Sequence, residues 1–364
     1  MAMQQSRRDV MMGATAMLLP TPSAHAALSP FAVVRSRIWG QTPDGAQAAL
    51  YTVEAGGIRA EFSDYGGRIV GLYLPDGQGG LDNVLMTPSD PVRLTGLWAV
   101  AGAMMGRSAN RIGGGHFVID GQVYDLDRSQ SGNTLHGGAG AFHTRMWRAR
   151  ALADGVEMRL TSPDGEAGFP GRLEVVLRYQ LVVRAGRARL IAILQAATTR
   201  PTHVNFTNHA IFNLDGAGKD LSGMDLRIAA ARFTPVGEDG LPLCSFSATA
   251  GQGFDLARFC PVAELIADGG LDVSLALDNR GDLAPVAWLS SMRSGRRMTV
   301  FSGEPGLQLF IPAHLPQRDG KDGGYGLCLE PQHFPDTPNH GAIPATLLRP
   351  GQTRRWESIY EFAY

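Results

Sequence analysis

Histidine and glutamate are well suited to passing protons near neutral pH, and in this chain they sit in three short segments rich in side chains that grip hydroxyl groups. The first is Gly106-Arg107-Ser108-Ala109-Asn110-Arg111-Ile112, followed after an expected hairpin by Asn133-Thr134-Leu135-His136-Gly137-Gly138. The second runs Thr202-His203-Val204-Asn205-Phe206-Thr207-Asn208-His209-Ala210-Ile211-Phe212-Asn213-Leu214, and the third Cys328-Leu329-Glu330-Pro331-Gln332-His333-Phe334-Pro335-Asp336. His209 is of a type that titrates near neutrality, and Glu330 of a type that is ionised there, so the pair offers one proton donor and one acceptor. Arg111 and His136 can orient the oxygens of a polar ligand. Each residue also has a plainer reading. His209 lies among apolar neighbours as a core histidine would, and Glu330 follows Leu329 as a strand-end carboxylate in an ion pair would. Arg111 would equally staple two loops, and His136 cap a turn.

Other chemistries lack their residue patterns. No G-x-x-x-x-G-K-[ST] occurs and no G-x-G-x-x-G opens a helix, so Gly113, Gly114, Gly115, Gly137 and Gly138 read as hairpin turns rather than a phosphate cradle. His203, His209, His333 and His340 show no H-E-x-x-H or matched Cys/His spacing, and neither a metal nor a cofactor is expected. The absence of G-x-S-x-G weighs against a serine hydrolase. Cys244, Cys260 and Cys328 form no C-x-x-C pair and read as buried free thiols, with Cys244 to Cys260 the one conceivable bridge.

These segments need a frame, and the composition supplies enough apolar material for one. Of 364 residues, 44% are hydrophobic and 18% charged, which suits a large globular core rather than a disordered chain. Lys plus Arg (33) nearly cancel Asp plus Glu (34), leaving no basic field for nucleic acid and favouring a neutral small molecule as partner. Apolar residues recur at short period in Ile58-Arg59-Ala60-Glu61-Phe62 and in 68–74, each run closed by Gly, Asp or Pro. Similar runs at 172–183 and 187–198 flank Arg184-Ala185-Gly186, which predicts a hairpin. No helical period persists for three turns, so the expectation is an all-β, antiparallel fold in a single domain over 27–364.

The first 26 residues read separately, as a signal peptide. Arg7-Arg8 precede an uncharged stretch from Val10 to Pro20, and Ala24-His25-Ala26 supplies small residues for cleavage before Ala27. The apolar run is about half of the ~20 residues that a membrane-spanning helix needs, so no stable membrane anchor is expected. The paired arginines resemble a twin-arginine signal, with Val10, Met11 and Met12 departing from the favoured Phe-Leu-Lys, and imply a periplasmic protein; an ordinary secretory signal is the alternative.

From Gly106 to the C-terminus the motifs resemble the aldose 1-epimerase (galactose mutarotase) family, including 162–171 (Ser-Pro-Asp-Gly-Glu-Ala-Gly-Phe-Pro-Gly) and Leu348-Arg349-Pro350-Gly351. The resemblance implies a large antiparallel β-sandwich binding a monosaccharide, with interconversion of the α and β anomers of a free glucose- or galactose-like aldose as its activity. It implies His209 as general acid and Glu330 as general base, with Asn110, Arg111, His136, Asp272 and Gln308 as substrate-binding residues. Two departures bear on substrate preference: Ile211 stands where the family usually has tyrosine, and Asp272-Val273-Ser274-Leu275 replaces Asp-His-Asn-Phe. Asp255 in Gly253-Phe254-Asp255 is a rival to Asp272. Other functions on such a sandwich are a glycoside-active enzyme pairing Glu330 with Asp336 or Asp272, and a carbohydrate-binding protein without activity.

Overall fold

Alternation of side chains along antiparallel strands decides this architecture, because each strand can bury one face and present the other. The computed structural model describes residues 32–243, 245–252, 254–266, 269–279, 281–341 and 346–364. The expected signal peptide and Cys244 lie outside them. Cys260 and Cys328 are free thiols; Cys328 is buried, whereas Cys260 is partly exposed, contrary to the expectation for it.

The expected strands form with small shifts of boundary, as Ile58–Ser63, Arg68–Pro75, Leu173–Arg184 and Arg187–Thr198. Ala185 and Gly186 both take positive φ (51° and 71°), the conformation a two-residue hairpin turn requires. Asp120 and Gly121 do the same (50° and 81°) between His116–Ile119 and Gln122–Asp125, the hairpin expected after Ile112. The only α-helix among the described residues is Val262–Leu265. None of their helices is long and apolar enough to cross a membrane.

Three antiparallel sheets carry the structure. A nine-stranded sheet runs from Arg148–Ala151 at one edge through Leu173–Arg184, Arg187–Thr198 and Arg354–Ala363 to Cys260–Pro261 at the other. A six-stranded sheet is ordered Ile211–Phe212, Leu327–Gln332, Gly306–Pro312, Gly270–Ala276, Arg232–Thr234, Ser247–Ala248. A five-stranded sheet holds 33–83. All three contribute to one apolar cluster: Leu177, Leu194 and Trp356 come from the first, Leu307, Leu309, Leu327 and Leu329 from the second, Phe62 and Leu72 from the third. Trp356 also donates its Nε1 hydrogen to the Pro331 carbonyl at 2.9 Å, tying the nine-stranded sheet to the strand that carries Glu330.

Period-two alternation then determines what lies on the other face of the six-stranded sheet. With Leu307, Leu309, Leu327, Leu329, Val273 and Leu275 in the core, their alternates turn away from it: Gln308, Phe310, Cys328, Glu330, Asp272 and Ser274.

Candidate active site

Strand register assembles the site. Leu327–Gln332 pairs with Ile211–Phe212 so that Ile211 faces Cys328, and two further steps in that register bring His209 opposite Glu330. On its other side Glu330 faces Gln308, which faces Ser274. The result is a row across the sheet in which a histidine, a glutamate, a glutamine and a serine lie side by side. His209 Nε2 lies 3.5 Å from Glu330 Oε1, and both side chains are buried. The peptide at His209 is held by two backbone hydrogen bonds, His209 N–H to Ala103 O (2.9 Å) and Gly102 N–H to His209 O (2.8 Å).

The loops of 106–141 close over this row. Arg111–Ile112 pairs with Thr134–Leu135, which brings Asn110 and His136 together at its end. His136 N–H donates to Asn110 O (3.0 Å), and Asn110 N–H donates to His136 Nδ1 (3.2 Å). Because Nδ1 accepts, the neutral His136 ring carries its hydrogen on Nε2 as a fixed donor. Both residues adopt positive φ (59° and 52°), a conformation uncommon outside glycine and concentrated at functional sites. Gly137 permits the close approach, since a Cβ there would meet Gly106 O at 2.3 Å. The rings of His136 and Phe310 stand edge-on to His209, at 5.7 and 5.9 Å between centroids.

Burial dominates the electrostatics. It lowers the His209 pKa to about 4, with the cation of Arg68 adding to the effect against an opposing backbone hydrogen bond. His136 is pushed well below its ordinary value by burial and then by His209, His143 and Arg111. Glu330 is raised well above the usual carboxylate range by burial, reinforced by the charge of Asp272. Burial thus disfavours both charged forms at this contact, the imidazolium of His209 and the carboxylate of Glu330.

The remaining expected residues fall as follows. Gln308 Nε2 donates to Asp272 Oδ1, while Gln308 Oε1 and Ser274 Oγ are buried without a hydrogen-bond partner among the described residues. Both aspartates are exposed, but Asp272 stands beside Gln308 and acts on Glu330, whereas its rival Asp255 acts on Cys260. Arg111 donates Nε–H to Gln130 Oε1 at 2.9 Å and pairs with no carboxylate among the described residues. Asp336 accepts from Gly113 N–H (2.8 Å) and Asn339 Nδ2 (2.7 Å) and lies 3.0 Å from His340 Nε2, so it is occupied in shaping a loop. His203 is apart from the row, with Nδ1 2.9 Å from Thr346 Oγ1.

Sequence reasoning passed over two contributors. Arg107 is buried and donates to Ser162 Oγ (2.9 Å), Ser162 O (3.0 Å), Pro163 O (2.7 Å) and Pro170 O (2.9 Å), anchoring the 162–171 motif beneath the loop that carries Asn110. Cys328 is fully buried with Sγ 3.4 Å from His209 Nδ1. Its position two residues before Glu330 in a strand was the available signal, since such residues share a face. Ligand atoms of His209, Cys328 and Glu330 all lie within 4.8 Å of one another, a nitrogen, sulfur and oxygen set able to hold a divalent ion that would occupy both proton-moving groups.

Comparisons with known proteins bear on the family and the fold. The sequence model of the Aldose 1-epimerase family matches residues 49–361. The chain is 31% identical over 343 residues to human galactose mutarotase, covering 91% of this chain and 99% of the relative. It is 32% identical over 341 residues to the aldose 1-epimerase of Escherichia coli (strain K12), covering 88% and 96%. Among solved structures, galactose 1-epimerase from Lactobacillus acidophilus NCFM has the same fold, with a TM-score of 0.78 at 24% identity over 91% of this chain and 98% of that one. A C. elegans aldose epimerase homologue gives 0.78 at 24% identity over 84% and 96%.

Proposed function

The chain belongs to the aldose 1-epimerase family, and from that premise we propose that it interconverts the α and β anomers of a free glucose- or galactose-like aldose, with His209 as acid and Glu330 as base. As a member of that family it is an enzyme of the sugar-isomerase type. The finer reading rests on one observation: His209 Nε2 and Glu330 Oε1 are 3.5 Å apart, both buried, with no lysine or arginine paired to either among the described residues.

An anomer changes configuration only if its ring opens. A proton must leave the hydroxyl on C1 and another must reach the ring oxygen. The pair works with one exchangeable proton between them, and burial, which disfavours the imidazolium and the carboxylate alike, favours it on Glu330. Its passage to Nε2 gives a carboxylate and an imidazolium with no change in proton count. The carboxylate then takes the hydrogen of the C1 hydroxyl, C1 becomes a carbonyl as the bond from C1 to the ring oxygen breaks, and Nε2–H protonates that oxygen. Rotation about C1–C2 followed by the reverse transfers closes the other anomer. His136, through Nε2–H, and Arg111 orient sugar oxygens, and Gln308 with Asp272 grips a hydroxyl from the sheet side. The glycoside-cleaving alternative needs a second free carboxyl beside the bond, but Asp336 is engaged with Gly113, Asn339 and His340, and Asp272 accepts from Gln308.

Polarimetry of freshly dissolved α-glucose and α-galactose, with protein dialysed exhaustively against a chelator, tests the reading. Acceleration supports it. Binding without acceleration would make the protein a carbohydrate binder, and activity lost to the chelator but restored by a divalent ion would replace the proton pair as the mechanism. We also propose that the enzyme acts in the periplasm, on the strength of Arg7-Arg8, the apolar run and Ala24-His25-Ala26. Substitution of both arginines by lysine should abolish export, and unchanged export would leave the ordinary secretory route.

A further inference from the structure

Proton transfer through one nitrogen of an imidazole works only if the other nitrogen is kept in a fixed state. In the cycle above His209 Nε2 loses its proton to the sugar and must later take it back. Nδ1 therefore has to stay protonated throughout, because a neutral ring with its hydrogen on Nε2 has no lone pair there. His136 is held in the opposite state, since its Nδ1 accepts from Asn110 N–H. For His209 Nδ1 the hydrogen-bond partner is Cys328 Sγ, at 3.4 Å.

We infer that Cys328 is a positioning residue for the acid, accepting a hydrogen bond from His209 Nδ1–H so that Nε2 alone gains and loses the proton. The inference rests on the acid–base reading given above. Its geometry comes from the strand: Cys328 and Glu330, two residues apart, project from the same face of Leu327–Gln332 and meet the two nitrogens of one ring. Ile211, Met86 and Leu315 belong to the same apolar cluster as Cys328, so the sulfur lies in a setting that keeps water from competing for Nδ1. Burial holds the thiol in its protonated, uncharged form. A neutral sulfur is a weak acceptor, unlike the carboxylate that orients the histidine of a serine-protease triad. It fixes the ring without a charge that would stabilise the imidazolium, which leaves His209 a strong acid suited to protonating a ring oxygen.

The test is a nitrogen-detected spectrum of protein labelled with 15N-histidine, the His209 signals being those absent from His209→Asn. Wild type is expected to show neutral His209 with hydrogen on Nδ1. Cys328→Ala should shift it towards the Nε2–H form and lower kcat roughly 3–10-fold, the span of one lost neutral hydrogen bond, with little change in KM. Cys328→Ser, whose hydroxyl oxygen can accept, should restore both. Wild-type His209 with hydrogen on Nε2 would overturn the inference, as would Cys328→Ala with unchanged tautomer and unchanged kcat. Should the alanine variant not fold, the wild-type and serine spectra decide alone: hydrogen on Nδ1 in both supports the role, and hydrogen on Nε2 in either ends it. Failure of the underlying reading looks different, because His209→Asn would then keep full activity whatever the tautomer.

Discussion

Two buried glutamates occupy matching places in two sheets of this protein and are treated in opposite ways. Glu157 lies in the nine-stranded sheet with Arg150 facing it on one side and Arg178 on the other. Glu330 lies in the six-stranded sheet with Gln308 facing it on one side and the His209 ring 3.5 Å from its carboxyl on the other. Arg150, Arg159 and Arg178 reach Glu157 at 2.9, 2.9 and 2.7 Å. Burial works to raise the Glu157 pKa, and these three arginines outweigh it and hold the group at about 2. No cation offsets burial at Glu330, so its pKa rises. A carboxylate surrounded by guanidinium groups has its charge fixed and serves the sheet, whereas one withheld from them can give and take a proton.

Removing the two carboxylates in turn is the strongest way to break this comparison. Glu330→Gln should lower kcat roughly 10²–10⁴-fold, the usual span for a positioned base, with a smaller change in KM. His209→Asn should do the same for the acid. Glu157→Gln should leave kcat untouched and cost about 1 kcal/mol of stability, a modest figure because its arginines are partly exposed. Steady-state polarimetry beside thermal unfolding reads both. A Glu330→Gln protein, folded by circular dichroism, that kept more than about a tenth of wild-type kcat would remove the carboxylate from the mechanism.

If His209 and Glu330 complete one proton relay, the double variant Glu330→Gln/His209→Asn should lose far less than the product of the single losses. Multiplicative losses in kcat would mean that the two act separately. The shared proton also shapes the pH profile. Activity should fall below about 4, where His209 binds a second proton while Glu330 is still protonated, and fall again at high pH where the pair loses its last proton. Between those limbs kcat/KM should be flat.

Stability should separate the two glutamates with opposite sign. Glu157 has a depressed pKa in the folded protein, so its contribution is present above the unfolded value of 4.5 and is lost as pH falls towards about 2. Glu330 has a raised one, so the folded state keeps a proton that the unfolded state releases, and stability declines as pH rises from 4.5 through the folded value. Glutamine at 330 mimics the protonated carboxyl. Glu330→Gln should therefore melt progressively higher than wild type as pH is raised, and Glu157→Gln should not. Equal melting temperatures for Glu330→Gln and wild type at every pH would show that burial does not strain the carboxyl.

Much of this contrast was legible in the sequence, though unevenly. The hairpin at 184–187 was readable because alternation and turn residues are local signals, whereas the one expected after Ile112 turns at Asp120-Gly121 rather than at the glycines of 113–115. His209 and Glu330 stood out through their motifs. Their adjacency depends on a pairing between 211–212 and 327–328, more than a hundred residues apart, which no local pattern encodes. Cys328 was read only as a buried free thiol, which it is, because a cysteine's role here depends on which nitrogen it meets. Arg107 was hidden for the same reason, since all its partners come from a distant loop. Asp272 and Asp255 were indistinguishable as residue types, and strand register gives them different surroundings: Asp272 faces Phe310, two residues along from the row that holds Glu330.

The smallest expected effect concerns that aspartate. Asp272 accepts from Gln308 and, being negative, helps hold the proton on Glu330. Asp272→Asn removes the charge while keeping the shape, so it should let the pair lose its last proton at lower pH. The high-pH limb of kcat/KM should move down, and the low-pH limb, set by His209 burial, should stay. Lost contact with a sugar hydroxyl would scale the whole profile without moving its limbs, which separates binding from electrostatics. Since burial outranks Asp272 as the cause of the raised value, the shift should be smaller than the full displacement and Glu330 should remain above the ordinary carboxylate range. A limb that stays in place, with uniform loss at every pH, would confine Asp272 to gripping the sugar and leave burial alone to set the proton affinity of Glu330.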